Sequence, residues 1–222
     1  MPIKDAFNCF GHFYDIYQAN QKISECRSVL EIIRKNSSLS EKDISRCKPD
    51  AIAVMMNPGN SSPMDSIPER IDIEKLNINF QLKKLGLAIP DGTQIRLMKI
   101  MNIKKWNHIR VINLTDIREK NNGFLEKLIN DFKLKTKSDM HSIFSDTRST
   151  ELKNALTDED VPIIKAWGTN DCIEDFAHKC LSSIELRNSF GVPSSQFEYL
   201  YQHPLTRRIS WHSEMIEQLS KC

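Results

Sequence analysis

The chain has 222 residues, and its 31 Lys and Arg against 29 Asp and Glu leave a formal charge of only +2 at pH 7. Such a balance excludes a protein that coats nucleic acid through bulk positive charge, although it allows a local basic groove. With 40% hydrophobic and 27% charged residues, the composition is that of a globular chain that can build a sizeable core. No apolar run approaches the roughly 18 residues of a membrane-spanning helix, so we expect no membrane partner.

Four short apolar runs alternate with helical patterns along the chain. The runs cover 51–56, 109–112, 161–167 and 197–201, and each is followed by polar or turn residues. Continuous apolar runs of this length are typical of buried strands in a mostly parallel sheet. Apolar residues at three-to-four spacing predict helices over 93–105 and 174–187, and the charged segment 119–160 is rich in helical pattern. The sequence therefore predicts a three-layer α/β/α fold around a central, mostly parallel, four-stranded sheet.

The first 50 residues carry a pattern that fits either helix or strand. We predict that 1–50 form an N-terminal elaboration packed on a core spanning 51–222, in a single domain overall. Six cysteines lie far apart, with no C-x-x-C pair. This spacing is typical of reduced thiols, and the alternative of a metal or iron–sulfur site would need closer ligands. We therefore expect a cytoplasmic protein with no metal and no cofactor.

The ends of the four predicted strands hold the residues best suited to binding a ligand or to catalysis. Ligands of open α/β sheets bind at the carboxyl ends of the strands. These ends read Asn-Pro-Gly-Asn, Asn-Leu-Thr-Asp, Trp-Gly-Thr-Asn and Gln-His-Pro-Leu-Thr-Arg-Arg. Taken singly, each is equally well explained as a turn, a strand cap, a core aromatic or a loop histidine. Their joint occurrence on one predicted rim indicates a functional site.

Taken in order, these motifs resemble those of the uracil-DNA glycosylase-like superfamily, over about residues 50–212. Met55-Met56-Asn57-Pro58-Gly59 is similar to the water-binding motif that ends the first strand of that family, with Met55 in place of a glycine. Asn113 resembles the asparagine that reads the base edge, Trp167-Gly168 the third motif, and His203-Pro204-Leu205 a shortened last motif. The resemblance implies that Asn57 and His203 are catalytic, and that substrate is bound by Pro58, Gly59, Asn113 and Trp167.

The residue types suit hydrolysis of an N-glycosidic bond in DNA. A histidine that donates to the departing base stabilises the negative charge that develops there. The Asn57 amide can hold a water molecule, although it has no useful proton affinity as a base. A base inside a duplex is unreachable and has to be flipped out. The resemblance therefore implies a monofunctional DNA glycosylase with DNA as its partner, no obligatory protein partner, and Leu205 as a wedge that fills the gap left by the base.

Basic residues near the predicted rim are candidates for contacts with the DNA backbone. The segment from Gly92 to Thr115 has several basic residues and no acidic one. A solvated helix face is the alternative explanation of this pattern. The residues predicted to contact DNA are Leu205, Arg207, Arg208, Arg96, Lys104 and Lys105.

Departures from the family pattern bear on the substrate. Asn57 stands where other branches have an aspartate, the serine-proline after His203-Pro204 is missing, and 60–68 contain no tyrosine. These differences favour a modified pyrimidine over uracil, including glucosylated hydroxymethylcytosine of phage DNA, whose removal would serve antiviral defence. Two other functions stay open, a non-catalytic nucleic-acid-binding module of the same fold and a small-molecule hydrolase. The sequence has neither a glycine-rich phosphate loop nor a serine nucleophile elbow.

Overall fold

A large mixed β-sheet dominates the computed structural model, which describes residues 2–39, 43–73, 84–156, 158–206 and 210–221. Within these ranges the strands are β1 (Phe7–Gln18), β2 (Gln21–Arg34), β3 (Ala51–Met55), β4 (Ser62–Pro63), β5 (Glu69–Asp72), β6 (Gly86–Ile89), β7 (His108–Asn113), β8 (Ile163–Lys165) and β9 (Ser189–Phe190). They run in the order β4-β6-β1-β2-β7-β3-β8-β9, and β5 pairs with β1.

The sheet has a parallel half and an antiparallel half. The neighbours β7, β3, β8 and β9 pair in parallel, whereas β1 and β2 form a long antiparallel hairpin that joins β7. Every residue of β3 and of β7 is buried, as is usual for strands covered on both faces. The α/β class is confirmed. The expectation of a four-stranded sheet is wrong, because the described part of the chain forms a mixed sheet of nine strands. The N-terminal segment adds β1 and β2, the segment 62–89 adds β4, β5 and β6, and residues 189–190 add β9.

Helices cover both faces of the sheet. The described helices are α1 (Gly92–Lys104), α2 (Asn122–Thr136), α3 (Ser149–Leu156), α4 (Glu174–Ser183) and α5 (Trp211–Leu219). Side chains of β3 alternate between two cores, since Ile52 and Val54 pack with residues of α2, α3 and α4, whereas Ala53 and Met55 pack with residues of α1 and α5. This alternation fixes which helices can reach the carboxyl end of β3.

The strand predicted over 197–201 is wrong. Leu200 donates its backbone N–H to the Phe197 carbonyl at 3.1 Å, which closes a turn inside the predicted run. Phe197 lies on the surface and stacks on Tyr199, and Tyr201 makes only isolated bridges. The apolar pattern arises because Tyr199 and Leu200 are buried in the core while the backbone turns, and the edge strand of the parallel half is β9.

The other predicted elements differ from the structure mainly in length. The run 161–167 contains a strand of only three residues, Ile163–Lys165. The helix predicted over 93–105 is α1, and the helix predicted over 174–187 ends at Ser183. Within the described ranges, none of the helices has the length and apolar character needed to cross a membrane.

Candidate active site

The carboxyl end of β3 lies where the chain connections diverge. β3 is flanked by β7 on one side and β8 on the other, both parallel to it, so the chain moves outward to β7 and then returns past β3 to β8. Such a reversal leaves a crevice outside the strand ends, where ligands of open α/β sheets bind. The residues directly after Met55 therefore lie where topology alone predicts a site.

A cleft of about 720 Å³ opens at this end of the sheet. Its walls come from the segments that follow β3 and β8, from the start of α1 and from 202–206. The volume falls within the range of roughly 300–1,000 Å³ that is common for small-molecule sites. Five of the predicted site residues line the cleft, namely Asn57, Pro58, Gly59, His203 and Leu205.

The side chain of Asn57 is oriented by backbone carbonyl groups. Its Nδ2 donates to the carbonyl oxygen of Glu119 at 2.6 Å and to that of Ile117 at 3.3 Å. Carbonyl oxygens only accept, so these two contacts fix which end of the amide is nitrogen. Oδ1 is thereby presented as the acceptor end of a residue that lines the cleft. An oxygen held in this way can accept a hydrogen bond from water, and it cannot take up a proton at neutral pH.

Gly59 turns the chain beside Asn57 and brings it close to Asp91. Its φ is +62°, in the left-handed region, and a Cβ at this position would lie 3.2 Å from Oδ2 of Asp91. Pro58 is buried just before this turn. The Pro58-Gly59 pair thus shapes the wall of the cleft and places the Asp91 carboxylate opposite the backbone of the predicted motif.

His203 is held in one tautomer. The backbone N–H of Leu205 donates to Nδ1 at 3.1 Å, so Nδ1 is the acceptor nitrogen and the neutral ring carries its proton on Nε2. Burial lowers the pKa of His203 to about 4, against an opposing effect of Asp91. At neutral pH the ring is therefore uncharged, and it offers Nε2–H as a hydrogen-bond donor.

Trp167 lies in the core instead of the cleft, contrary to its prediction as a substrate-binding residue. It is fully buried, and its Nε1 donates to the Tyr199 carbonyl at 2.9 Å. Gly168, which does line the cleft, donates its backbone N–H to the Tyr201 carbonyl at 2.7 Å. These bonds fix the segment that precedes His203, with Gly168 at the cleft and Trp167 in the core beneath it.

Asn113 also lies beneath the cleft and does not line it. It is fully buried at the end of β7, paired in register with Met55. Neither its Nδ2 nor its Oδ1 has a hydrogen-bond partner among the described residues. Direct reading of a base edge by Asn113 would need a deeper opening than this structure has.

The residues predicted to contact DNA are distributed unevenly. Leu205 is 49% exposed at the mouth of the cleft, against the start of α1. Arg207 and Arg208 lie outside the described residues. Arg96 is exposed in the second turn of α1 and does not line the cleft.

Lys104 and Lys105 lie at the other end of α1. A helix of 13 residues is roughly 20 Å long, so these lysines are far from the cleft at its first turn. Lys104 is engaged with the Leu219 carbonyl. The basic segment therefore does not form one continuous surface at the cleft. The prediction that Lys104 and Lys105 contact DNA beside the cleft is wrong.

Four charged residues that line the cleft were not predicted from the sequence, namely Arg27, Asp91, Glu119 and Lys120. Asp91 caps α1, and its pairing with Gln94 is a capping box that the spacing Asp-x-x-Gln would have indicated. Arg27 reaches the cleft from β2, and nothing in the sequence distinguishes it from a surface arginine. Among the described residues, no group of three or more His, Cys, Asp or Glu side chains is placed to hold a metal ion.

Comparison with known proteins adds no relative. No family model, no curated protein and no solved structure matches this chain. The relation to the uracil-DNA glycosylase-like superfamily stays a prediction from the motifs.

Proposed function

We propose that the chain is a monofunctional DNA glycosylase that hydrolyses the N-glycosidic bond of a flipped, modified pyrimidine and leaves an abasic site. The observation that carries the proposal is the presence, in one cleft, of the Asn57 amide and a neutral His203 whose Nε2–H is free of the Leu205 contact at Nδ1. An acceptor for water and a donor for the leaving base are the two groups this hydrolysis requires.

The reaction separates charge, and side chains of the cleft stabilise the charges that develop on the base and on the sugar. As the C1′–N bond breaks, its electron pair moves onto the base, and Nε2–H of His203 stabilises the oxygen that becomes negative. Positive charge develops on the sugar, and the carboxylate of Asp91 lies in the same cleft. A water molecule held by Oδ1 of Asn57 then forms the new C1′–O bond. Its proton passes to solvent, and the released base takes one up.

The size of the cleft is compatible with a substituted base. A cleft of about 720 Å³ can hold a flipped pyrimidine nucleotide with a group on its 5-position. The loop after Gly59 contributes Asn60, a small polar residue, to the wall. We therefore propose a modified cytosine as substrate, with glucosylated hydroxymethylcytosine of phage DNA as the first one to test.

Leu205 suits the flipping step. Leu205 is a large apolar side chain that is half exposed at the mouth of the cleft and packs against the start of α1. Apolar wedges inserted between bases unstack them and support an extruded nucleotide. Leu205 adjoins His203 in the chain, so insertion and base binding would take place side by side.

The test is formation of abasic sites in duplexes that carry uracil, hydroxymethylcytosine or glucosylated hydroxymethylcytosine. We expect strand breaks after alkali on at least one modified duplex, and a loss of about 100-fold or more in rate for Asn57→Ala and for His203→Ala. Exposed residues that do not line the cleft give matched controls, Asn107→Ala and His178→Ala, which should retain the wild-type rate.

The outcomes separate the proposal from its alternatives. Absence of abasic sites on every duplex, with DNA still bound in a salt-dependent way, would replace the enzyme by a binding module. Equal losses of DNA binding and of cleavage in the Asn57 and His203 variants would show that these residues hold DNA and do not act on the bond.

A further inference from the structure

A buried arginine without a partner faces the cleft. Arg27 is only 1% exposed, and it lines the cleft near Asn57. Its Nε and Nη1 atoms make no hydrogen bond in the part of the chain that the structure describes. Native proteins pair such groups almost without exception, because an unsatisfied buried donor is costly and a buried charge more so. Arg27 thus brings unpaired donors to the wall of the cleft.

A β-bulge aims this side chain at the cleft. His12 pairs with Val29 and Phe13 pairs with Arg27, so Ser28 is an extra residue in β2. Without it, Arg27 and Val29 would share a face, since residues two apart on a strand do. Val29 belongs to the core under α2, whereas Phe13, the cross-strand partner of Arg27, belongs to the core under α1. The bulge thus turns the guanidinium to the face on which α1 and the cleft lie, a known use of bulges beside functional sites.

The charges around Arg27 leave its own charge unpaired. Burial lowers the pKa of Arg27 to about 10, and the nearby Arg118 lowers it too, while Asp91, Cys9 and Asp116 act in the other direction. The group is still a cation at neutral pH. Among the described residues, neither Asp91 nor Asp116 pairs with Nε or Nη1 of Arg27. Asp91 caps α1 through Oδ1, and Asp116 accepts from Tyr14 and Arg148 through Oδ2.

We propose that Arg27 forms a subsite of the cleft for a negatively charged oxygen group of the ligand, a phosphate or a carboxylate. A guanidinium presents paired donors that match both groups, and charge-assisted bonds of this kind are the strong ones. For the proposed glycosylase, the group is either a phosphate next to the flipped nucleotide or an acid on its base. The subsite itself rests on the geometry of Arg27 and does not require that the bond be cleaved.

Binding to the full-length protein tests the subsite without any turnover. Calorimetry with deoxycytidine, deoxycytidine 5′-monophosphate and 5-carboxydeoxycytidine compares an uncharged ligand with a phosphate and with a carboxylate. We expect at least one anionic ligand to bind about 10-fold or more tightly than deoxycytidine, and Arg27→Met to remove that difference. Preference for one of the two anions identifies the source of the group.

Two controls keep the result specific. The exposed arginine variant Arg70→Met should keep the wild-type preference for the anion. The unliganded Arg27→Met protein should melt no lower than wild type, because the change removes an unpaired buried charge. Equal affinities of the wild type for all three ligands would overturn the proposal. So would an unchanged preference in Arg27→Met, or a marked fall in its melting temperature, which would mean that the folded chain itself satisfies the guanidinium.

If no abasic site forms on any DNA but the anion preference depends on Arg27, the proposed glycosylase fails and the subsite stands. If abasic sites form but the wild type shows no preference for an anionic ligand, the proposed glycosylase stands and the Arg27 subsite fails.

Discussion

The protonation state of His203 gives the sharpest prediction about the proposed chemistry. Two mechanisms use a histidine in this position, one with a neutral ring that donates a hydrogen bond and one with a charged ring that transfers a proton. The Leu205 N–H contact at 3.1 Å occupies Nδ1, and burial lowers the pKa to about 4. At pH 7, only about one molecule in a thousand then carries the charged ring. The structure favours the neutral donor.

The two mechanisms differ in their dependence on pH. A neutral donor predicts a rate of base release that is flat from pH 8 to pH 5, because the ring stays uncharged across this range. A charged ring predicts a rate that rises about tenfold for each pH unit from 7 towards 4, as the protonated fraction grows. Removing the donor in His203→Ala should lower the rate roughly 100- to 1,000-fold, about 2.7–4 kcal/mol of transition-state stabilisation.

Single-turnover formation of abasic sites between pH 5 and pH 8 measures this dependence. Nitrogen chemical shifts of the histidine rings report the tautomer and the pKa without any substrate, with His203→Ala for assignment. A rate that climbs tenfold per unit in the wild type and is flat in the variant would refute the neutral donor. So would a proton found on Nδ1 of His203.

Two further predictions concern the scaffold. Gly168→Ala should slow base release more than it weakens DNA binding. The φ of Gly168 is +92°, and an added Cβ would lie 3.2 Å from Met56 and 3.6 Å from the Cβ of His203. The rate of base release and the affinity for DNA, measured on the same variant, check this prediction. Burial lowers the pKa of His141 to about 4, so the unfolded chain takes up its proton first as the pH falls. Stability should then drop by about 3 kcal/mol between pH 7 and pH 4, and less in His141→Gln, as measured by urea unfolding.

The parallel half of the sheet is the part of the fold that the sequence predicts best. β3 and β7 are buried on both faces, so their residues form continuous apolar runs that stand out from their surroundings. The first helix is equally clear, because its buried residues recur at helical spacing. The rule that ligands bind at strand ends predicts a site at Asn57 and its neighbours, and these residues line the cleft.

The N-terminal hairpin could not be assigned for the opposite reason. In the middle of β1 and β2 nearly every residue is buried, including polar ones such as His12 and Glu31. The bulge at Ser28 interrupts what alternation is left. The apolar residues of β1 and β2 therefore follow neither the two-residue spacing of a strand nor the spacing of a helix. The type of element depends on pairing with β7, which is distant in sequence.

The misplaced site residues share one cause. A motif gives a position along the chain, but the direction of the side chain depends on strand register and on local turns. Asn113 and Trp167 follow strands as predicted, yet both point into the protein. Arg27 reaches the cleft through a bulge that only the paired strand reveals.

The polar core beside the cleft explains how Asn57 is kept in place. The segment that follows β7 supplies the carbonyl oxygens of Ile117 and Glu119 that hold its amide. Asp116, in the same segment, is buried, and it accepts from the Tyr14 hydroxyl at 2.8 Å and from Arg148 at 2.7 Å. Its own carbonyl accepts from the backbone N–H of Arg27 at 2.9 Å. Breaking a buried pair of this kind costs about 3–5 kcal/mol, whereas an apolar replacement of both partners is often neutral. Since stability alone does not require these charges, we infer that they keep the cleft-facing residues Asn57 and Arg27 in fixed positions relative to each other.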